Sequence, residues 1–470
     1  MNIKAPAWAK PSDIADLLKL SVPIAISRMS VMLMSVTDAI VLGQYAPGQL
    51  PFVLNSWLPI GVAIGMGLGL LLGVQVLTAE LGGVGRDHQS GRIFRRGFWF
   101  AIGLGAVLNI LIYFGAEPMF RWLFIDIAPA SEGLSGSDPI MVAERTSEVT
   151  RIMSLGMVGF MLSSVCSYYL EALRRPLLVT VVMYFGVTVN LVIDLALVAG
   201  WWGIAPMGAE GVAWATTGSR WALTIVLLVL CAMFTPALKR SPKGPENESR
   251  RQLAVGVGTA ISNVAEWGGF NATFIIATWV SLVANTVYGY TFQIIGVAFM
   301  FYLGIATATS VRVAEAYGRK NDAEVRDAGR LGVAATVIVG LTMGALFMIF
   351  GDTLARLLVN GDAVMDGVHL ASAITALLFL AALVTVFDGL QAIASFAMRA
   401  QEIVWLPSVV HFASFFVLMI PACYWFGVTQ GYGAKGMMIG AALSCAVAGI
   451  SQLILLETLP RVRRRRLAAK

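Results

Sequence analysis

Long apolar runs leave this chain few ways to fold. Stretches of twenty or more residues with hardly a charge recur from residue 18 to residue 457, separated by short polar connections. Each meets the ~20 residues a helix needs to cross the hydrocarbon of a bilayer. Twelve spans are predicted, over 18–44, 50–80, 92–115, 145–171, 177–200, 208–234, 252–279, 285–314, 327–350, 369–398, 404–427 and 434–457. Of 470 residues, 58% are hydrophobic and 13% charged, against roughly 45–50% apolar residues in soluble domains. The expected fold is an all-α integral membrane protein. The polar N-terminus and a first apolar run too long for a signal h-region predict that the first span is retained.

Basic residues mark one face. They crowd the N-terminal segment (Lys4, Lys10, Lys19), the second–third connection (Arg86, Arg92, Arg95, Arg96), the central linker (Lys239, Arg240, Lys243, Arg250, Arg251), the eighth–ninth connection (Arg312, Arg319, Lys320, Arg326) and the tail "RVRRRR". The opposite connections, such as "IDIAPASEGLSGSD" and "NGDAVMDG", are acidic or neutral. The positive-inside rule then puts both termini in the cytoplasm, and contact with membrane lipids accounts for the tail better than nucleic acid does. Four cysteines without CxxC spacing and three scattered histidines argue against a metal site or disulfide framework. Without a GxxxxGK[ST] phosphate loop, ATP hydrolysis by this chain is not expected. No enzymatic activity or cofactor is expected.

The chain is written twice. "AISRMS" from Ala25 matches "AISNVA" from Ala260, "IGVAIGMGLG" from Ile60 matches "IGVAFMFYLG" from Ile295, and "AELGGVGRD" from Ala79 matches "AEAYGRKND" from Ala314, all at one offset of 235. The match fades after Gly97 and Gly332. An even number of spans per half makes the repeats parallel, related by an axis along the membrane normal. Two six-helix lobes follow, an N-lobe over 1–235 and a C-lobe over 252–470, joined by a cytoplasmic linker over 236–251. Gly61, Gly65, Gly69 and Gly73 recur every four residues and predict a face of close helix packing.

Four acids lie within spans. A charge at the bilayer centre costs about 2.5–3.5 kcal/mol on insertion scales, so such residues face a protein interior or a watery cavity and are functional candidates. Asp38 lies in the first span; Asp194 lies in the fifth, one turn after Asn190; Glu266 shares a face with Ser262 and Asn263 in the seventh; Asp388 shares one with Gln391 in the tenth. The repeat does not duplicate them, since Asp38 corresponds to Thr273 and Glu266 to Val31. Burial disfavours a charged carboxylate and neighbouring carboxylates repel, so such a group takes up a proton or a monovalent cation. Binding then biases a two-state scaffold. Arg28 and Arg220 also sit deep in spans; each could meet an acid inside a lobe, but snorkelling to an interface is the favoured expectation. Pro23, which removes a helix hydrogen bond ahead of Asp38, is a candidate hinge.

These motifs carry a family likeness over nearly the whole chain. "PIAISRMSVMLMSVTDAIVLG", the AE…G…D connections, "NLVID" followed by "GAEGVAWAT", "VAEWGGF" and "FDGLQ" together resemble the multidrug and toxic compound extrusion (MATE) family, and most its NorM-type bacterial members. The resemblance implies a twelve-helix antiporter of a bacterial inner membrane. It would export cationic amphipathic drugs or dyes in exchange for protons or sodium, by alternating access and as a monomer. By position, Asp38, Asn190, Asp194 and Thr216 would form an N-lobe cation site, and Glu266 and Asp388 a C-lobe one, with no metal beyond sodium at these acids. Sodium-coupled relatives tend to carry an aromatic one turn before the tenth-span acid; here it is Val384, which favours protons. The competing reading is a flippase or exporter of a specific metabolite or lipid-linked substrate; a passive channel fits the coupled acids least.

Overall fold

The computed structural model describes residues 10–127, 139–239, 241–242, 244–359, 363–365 and 367–468. Lys4, Arg240, Lys243 and most of the two acidic connections lie outside them, as do the side chains of the basic tail. The described helices are α1 (Pro11–Tyr45), α2 (Leu50–Gly83), α3 (Gly91–Arg121), α4 (Pro139–Ser154), α5 (Met157–Ala172), α6 (Pro176–Leu197), α7 (Ala209–Phe234), α8 (Glu248–Val280), α9 (Leu282–Gly318), α10 (Asp322–Leu358), α11 (Leu370–Arg399), α12 (Trp405–Phe412), α13 (Ile420–Tyr424) and α14 (Gly433–Ala468). A two-residue hairpin, β1 (Val364–Met365) with β2 (Val368–His369), is the only sheet among the described residues.

Every predicted span falls on a helix. Ten helical stretches are long and apolar enough to cross a membrane, and α4 with α5, bent by 43° between them, brings the number to eleven. The twelfth, α8, has 33 residues and is of spanning length, but Arg250, Arg251, Glu266, Asn263 and Asn271 dilute its hydropathy. The eleventh predicted span is not one regular helix: π-helical turns at Ala413–Met419 and Trp425–Thr429 interrupt it. The helix α1 runs unbroken through Pro23.

The chain divides into two compact units. One, here the C-terminal unit, comprises Met1–Ile26, Ala79–Gly85 and Ser249–Lys470; the other, the N-terminal unit, comprises Ser27–Thr78 and Arg86–Glu248. In the C-terminal unit α11 packs between α9, α10 and α14. The core there is built on residues such as Ile374, Leu378 and Ala381 of α11 with Tyr288 and Tyr302 of α9. In the N-terminal unit α3 packs on α4 and α5, and α7 on α4, α5 and α6.

The repeat extends further in the backbone than in the sequence. Gly85 and Lys320, 235 apart, both turn with a left-handed φ, of 70° and 57°. Beyond the point where the sequence match fades, Arg174 and Glu402 do the same, at φ 58° and 62°, and close identical turns. The Arg175 and Ile403 amides reach back five residues to the carbonyls of Leu170 and Met398, a Schellman ending.

The predicted stripe is open at its first member, Gly61, while its other three glycines are buried. A Cβ on Gly61 would meet nothing within 4 Å, whereas one on Gly67 would lie 2.3 Å from the Met161 side chain. Within the C-terminal unit the two copies of the repeat touch reciprocally. A Cβ on Gly83 would lie 2.1 Å from the Glu315 carbonyl oxygen, and one on Gly318 would lie 2.3 Å from the Glu80 carbonyl oxygen. Arg251 ties the same region together by pairing with Glu80 at 2.6 Å and with Glu402, while Arg312 holds Asp13 at 2.9 Å and Asp16 at 3.3 Å.

Because backbone cannot yield as a side chain can, Gly318→Val is expected to destabilise the protein by about 1–3 kcal/mol and Gly61→Ala to change little; thermal unfolding in detergent measures both. A second expectation concerns Glu248, at the start of α8 ahead of its apolar part. Burial pushes its carboxyl up, but the hydrogen bonds and charges of Arg92 and Arg96 outweigh that and hold it below the usual value. A carboxyl so depressed stabilises the fold above its ordinary value of about 4.3 and loses that contribution as pH falls through its lowered folded value. Glu248→Gln should therefore melt roughly 2–4 °C lower at pH 7, and the gap from wild type should close in acid.

Candidate functional site

In the N-terminal unit three helices bring one polar cluster together. Asp38 comes from α1, Asn190 and Asp194 from one face of α6, and Thr216 and Arg220 from α7, all buried. Thr216 Oγ1 donates to Asp38 Oδ2 at 3.4 Å. Asn190 and Asp194 face Asp38 closely enough to act on it electrostatically. Even so, Asp38 Oδ1, both oxygens of Asp194 and both amide atoms of Asn190 have no hydrogen-bond partner among the described residues. Each buried polar atom left this way costs about 1–3 kcal/mol. Two carboxylates beside an amide and a hydroxyl oxygen make a site of hard donors, suited to a proton or a small monovalent cation.

Arg220 does not snorkel. Only 5% exposed, its guanidinium lies 5.6 Å from the Trp57 ring centre and 5.4 Å from that of Phe160, and it acts electrostatically on Asp38. The break between α4 and α5 explains its place. At the bend the Ile152 and Met153 carbonyls accept tight-turn hydrogen bonds from the Leu155 and Gly156 amides, at 3.2 Å each, and they and Leu155 can take further donors on their second lone pairs. Thr217, Arg220 and Trp221 of α7 supply them, at 2.9, 3.4 and 3.2 Å. Gly156 at the break leaves the room, since a Cβ there would lie 2.9 Å from Arg220 Cδ.

Arg28 does not snorkel either. Its Nη2 holds both carboxylate oxygens of Glu171, at 2.9 and 3.1 Å, and Gln75 adds a hydrogen bond at 3.1 Å. Glu171 is wholly buried and stands three residues before the left-handed turn at Arg174. Its equivalent before the turn at Glu402 is Arg399, also buried. The halves thus place opposite charges at one backbone position.

The second cluster lies in the C-terminal unit. Asp388 and Gln391 of α11 face inward, and Gln391 Nε2 donates to Asp388 Oδ1 at 3.0 Å. Gln391 Oε1 in turn meets His411 Nε2, from α12. Glu266 of α8 lies within electrostatic reach of Asp388 and Arg399 and within hydrogen-bond reach of Gln391. Tyr302 of α9 adds an aromatic neighbour: its ring fills the space over Gly389, where a Cβ would be 2.8 Å from it. Val384, the α11 residue one turn before Asp388, is packed in the apolar core. The sequence pointed to Glu266, Asp388 and Gln391 because polar groups are conspicuous in apolar runs. It did not single out His411 and Arg399, for a lone histidine or a basic residue near a span end carries no such signal. No group of three or more His, Cys, Asp or Glu suited to a metal ion occurs among the described residues.

Ten helical stretches able to cross a membrane, eleven with the bent pair α4 and α5, an internal repeat and buried acidic clusters define a polytopic membrane protein of the kind that moves solutes. The chain belongs to the MatE family, as a NorM-type MATE transporter: the family's model matches residues 23–196 and 259–425, one stretch in each half. A probable multidrug resistance protein NorM of Caulobacter vibrioides is 31% identical over 443 residues, 93% of this chain and 90% of that protein. A protein of the same description from Deinococcus radiodurans is 26% identical over 457 residues, 96% of each. Among solved structures, the outward-facing conformation of a multidrug resistance MATE family transporter superposes with a TM-score of 0.81 at 18% identity, over 97% of this chain and 96% of that one. A eukaryotic MATE transporter, AtDTX14, gives 0.81 at 16% identity, over 97% and 99%.

Removing one partner of a buried ion pair costs about 3–5 kcal/mol, because the other charge is left uncompensated. Arg28→Met is accordingly expected to lower the melting temperature sharply, and adding Glu171→Leu to recover much of the loss. Purely additive effects in that double-mutant cycle would remove the pair from the account of α1 packing.

Proposed function

We propose that this protein is a secondary active multidrug antiporter that exports cationic amphipathic compounds in exchange for protons or sodium ions by alternating access. The observation that carries the reading is the cluster of five buried polar atoms on Asp38, Asn190 and Asp194 without hydrogen-bond partners among the described residues. A cation held between Asp38 and Asp194, with Asn190 Oδ1 and Thr216 as neutral oxygen donors, would answer the four oxygens among those atoms and remove the repulsion of two carboxylates in a medium where charges interact strongly. Arg220 offsets one of the two negative charges, so a single positive charge balances the set. Glu266 and Asp388, beside Arg399, form a second group with the same balance. A cationic drug and the coupling ion then compete for one negative charge, which makes their movements exclusive and opposite. The four named residues of the N-lobe and the two acids of the C-lobe are the coupling groups in this reading; Pro23 would admit a bend in α1. The setting proposed is a bacterial inner membrane with both termini cytoplasmic, the chain acting as a monomer without cofactor or nucleic acid. The basic connections support that orientation.

The test uses purified protein in liposomes loaded with a cationic dye. Wild type is expected to move dye when a proton or sodium gradient is imposed, and Asp38→Asn and Glu266→Gln are expected to reduce movement to background. Proteolysis of the termini in vesicles of known orientation fixes the sidedness. Coupled transport at wild-type rates by both variants would refute the mechanism; dye movement without a gradient would indicate a channel, and movement of a lipid-linked sugar instead of dye would indicate a flippase.

A further inference from the structure

The hydrogen-bond chain from Asp388 to His411 has a direction, and the direction has a consequence. His411 is buried at the end of α12, where the helix passes into the π-helical turn of Ala413–Met419, and its ring packs at 5.6 Å from Phe415. An ionised carboxylate only accepts hydrogen bonds, so Gln391 must turn its N–H toward Asp388. The carbonyl of the same amide then faces the imidazole, and only a ring protonated at Nε2 can donate to it. For a neutral ring this leaves Nδ1 as a bare acceptor, and Nδ1 has no hydrogen-bond partner among the described residues. Arg399 lies within electrostatic reach of the ring and opposes a second proton on it. Glu266 from α8, itself within hydrogen-bond reach of the Gln391 amide, Tyr302 from α9 and Cys445 from α14 are the other titratable groups near Asp388.

We propose that His411 is a positioning residue for Asp388, and that the Gln391 amide converts the charge of Asp388 into the choice of His411 tautomer. With Asp388 ionised, His411 Nε2–H holds the amide so that its N–H serves the carboxylate. When Asp388 takes a proton from water, the new O–H donates to Gln391 Oε1 and the amide turns over. The amide N–H then faces His411 Nε2, which accepts it with a lone pair. The ring's proton has left Nε2 for water and another from water has joined Nδ1, so net uptake is the single proton on Asp388. A sodium ion at Asp388 leaves the carboxylate an acceptor, and neither amide nor ring turns. The ring therefore distinguishes the two coupling ions, an inference that rests on the reading of Asp388 as a cation-binding acid.

The chain has three histidines, His88, His369 and His411, few enough to resolve by solid-state nuclear magnetic resonance of ¹⁵N-histidine-labelled full-length protein in liposomes, with His411→Asn identifying the signal. In wild type the His411 N–H is expected on Nε2 at alkaline pH and on Nδ1 after acidification. Sodium chloride at alkaline pH should leave it on Nε2, and Asp388→Asn should abolish the pH response. A ring fixed on Nε2 at every pH, one that becomes doubly protonated, or a response that survives Asp388→Asn would each overturn the proposal. The wild-type measurement needs no transport. A tautomer that follows pH in a protein that moves no dye would sink the transport reading alone, and the converse would sink this inference alone.

Discussion

Inside apolar helices no water competes for a polar atom, so each buried charge or orphaned backbone group must be answered by another part of the chain. Much of the N-terminal unit is arranged around that requirement. Glu171 is answered by Arg28 and Gln75, and the carbonyls of the turn where α4 meets α5 take additional donors from Thr217, Arg220 and Trp221. These contacts fix α1 against α5 and α7 against the break, and so bring Asp38 to Asp194. Single atoms such as Arg28 Nε, Gln75 Oε1, Thr78 Oγ1 and Thr146 Oγ1 go unanswered among the described residues of that unit, but the unanswered atoms gather on Asp38, Asn190 and Asp194. Against a net stability of about 5–15 kcal/mol, several unanswered atoms in one cluster are too costly to be incidental, and that is why the cluster reads as a binding site.

The two halves share a backbone and divide their chemistry. Identical left-handed turns at Arg174 and Glu402 follow a buried acid in one half and a buried base in the other. The acid sites are not equivalent either: one is built by α1, α6 and α7, the other by α8, α11 and α12. The constraints on the backbone explain the difference in tolerance. At Gly83 and Gly318 the halves meet main chain to side-chain position, where no Cβ fits, so the repeat is preserved there. Elsewhere a side chain needs only an answering partner, as Arg28 and Glu171 provide for each other.

Much of this was legible from the chain, and unevenly. The spans were, since any run of twenty apolar residues must leave water, and the acids were, since they stand against that background. The break inside 145–171 was not, because the α7 side chains that answer it lie some sixty residues on. Arg220 was misjudged as a snorkelling residue for the same reason: depth in a span says nothing about whether a carbonyl or a ring waits beside it. The spacing of Gly61, Gly65, Gly69 and Gly73 pointed to close packing, yet Gly61 faces open space, while Gly67 and Gly83 of the same helix are closely approached. A spacing defines a face of a helix, not what the face meets.

The sequence by itself determined the helices, the duplication and the acids that cannot be left to lipid, because each follows from local composition weighed against hydrocarbon or from self-comparison of the chain. Tertiary structure alone decided which acids meet, which arginines answer them, and that Gln391 links Asp388 to His411. Those outcomes depend on the register and tilt of helices that are remote in the chain, and a hydrogen bond is gained or lost over less than 1 Å.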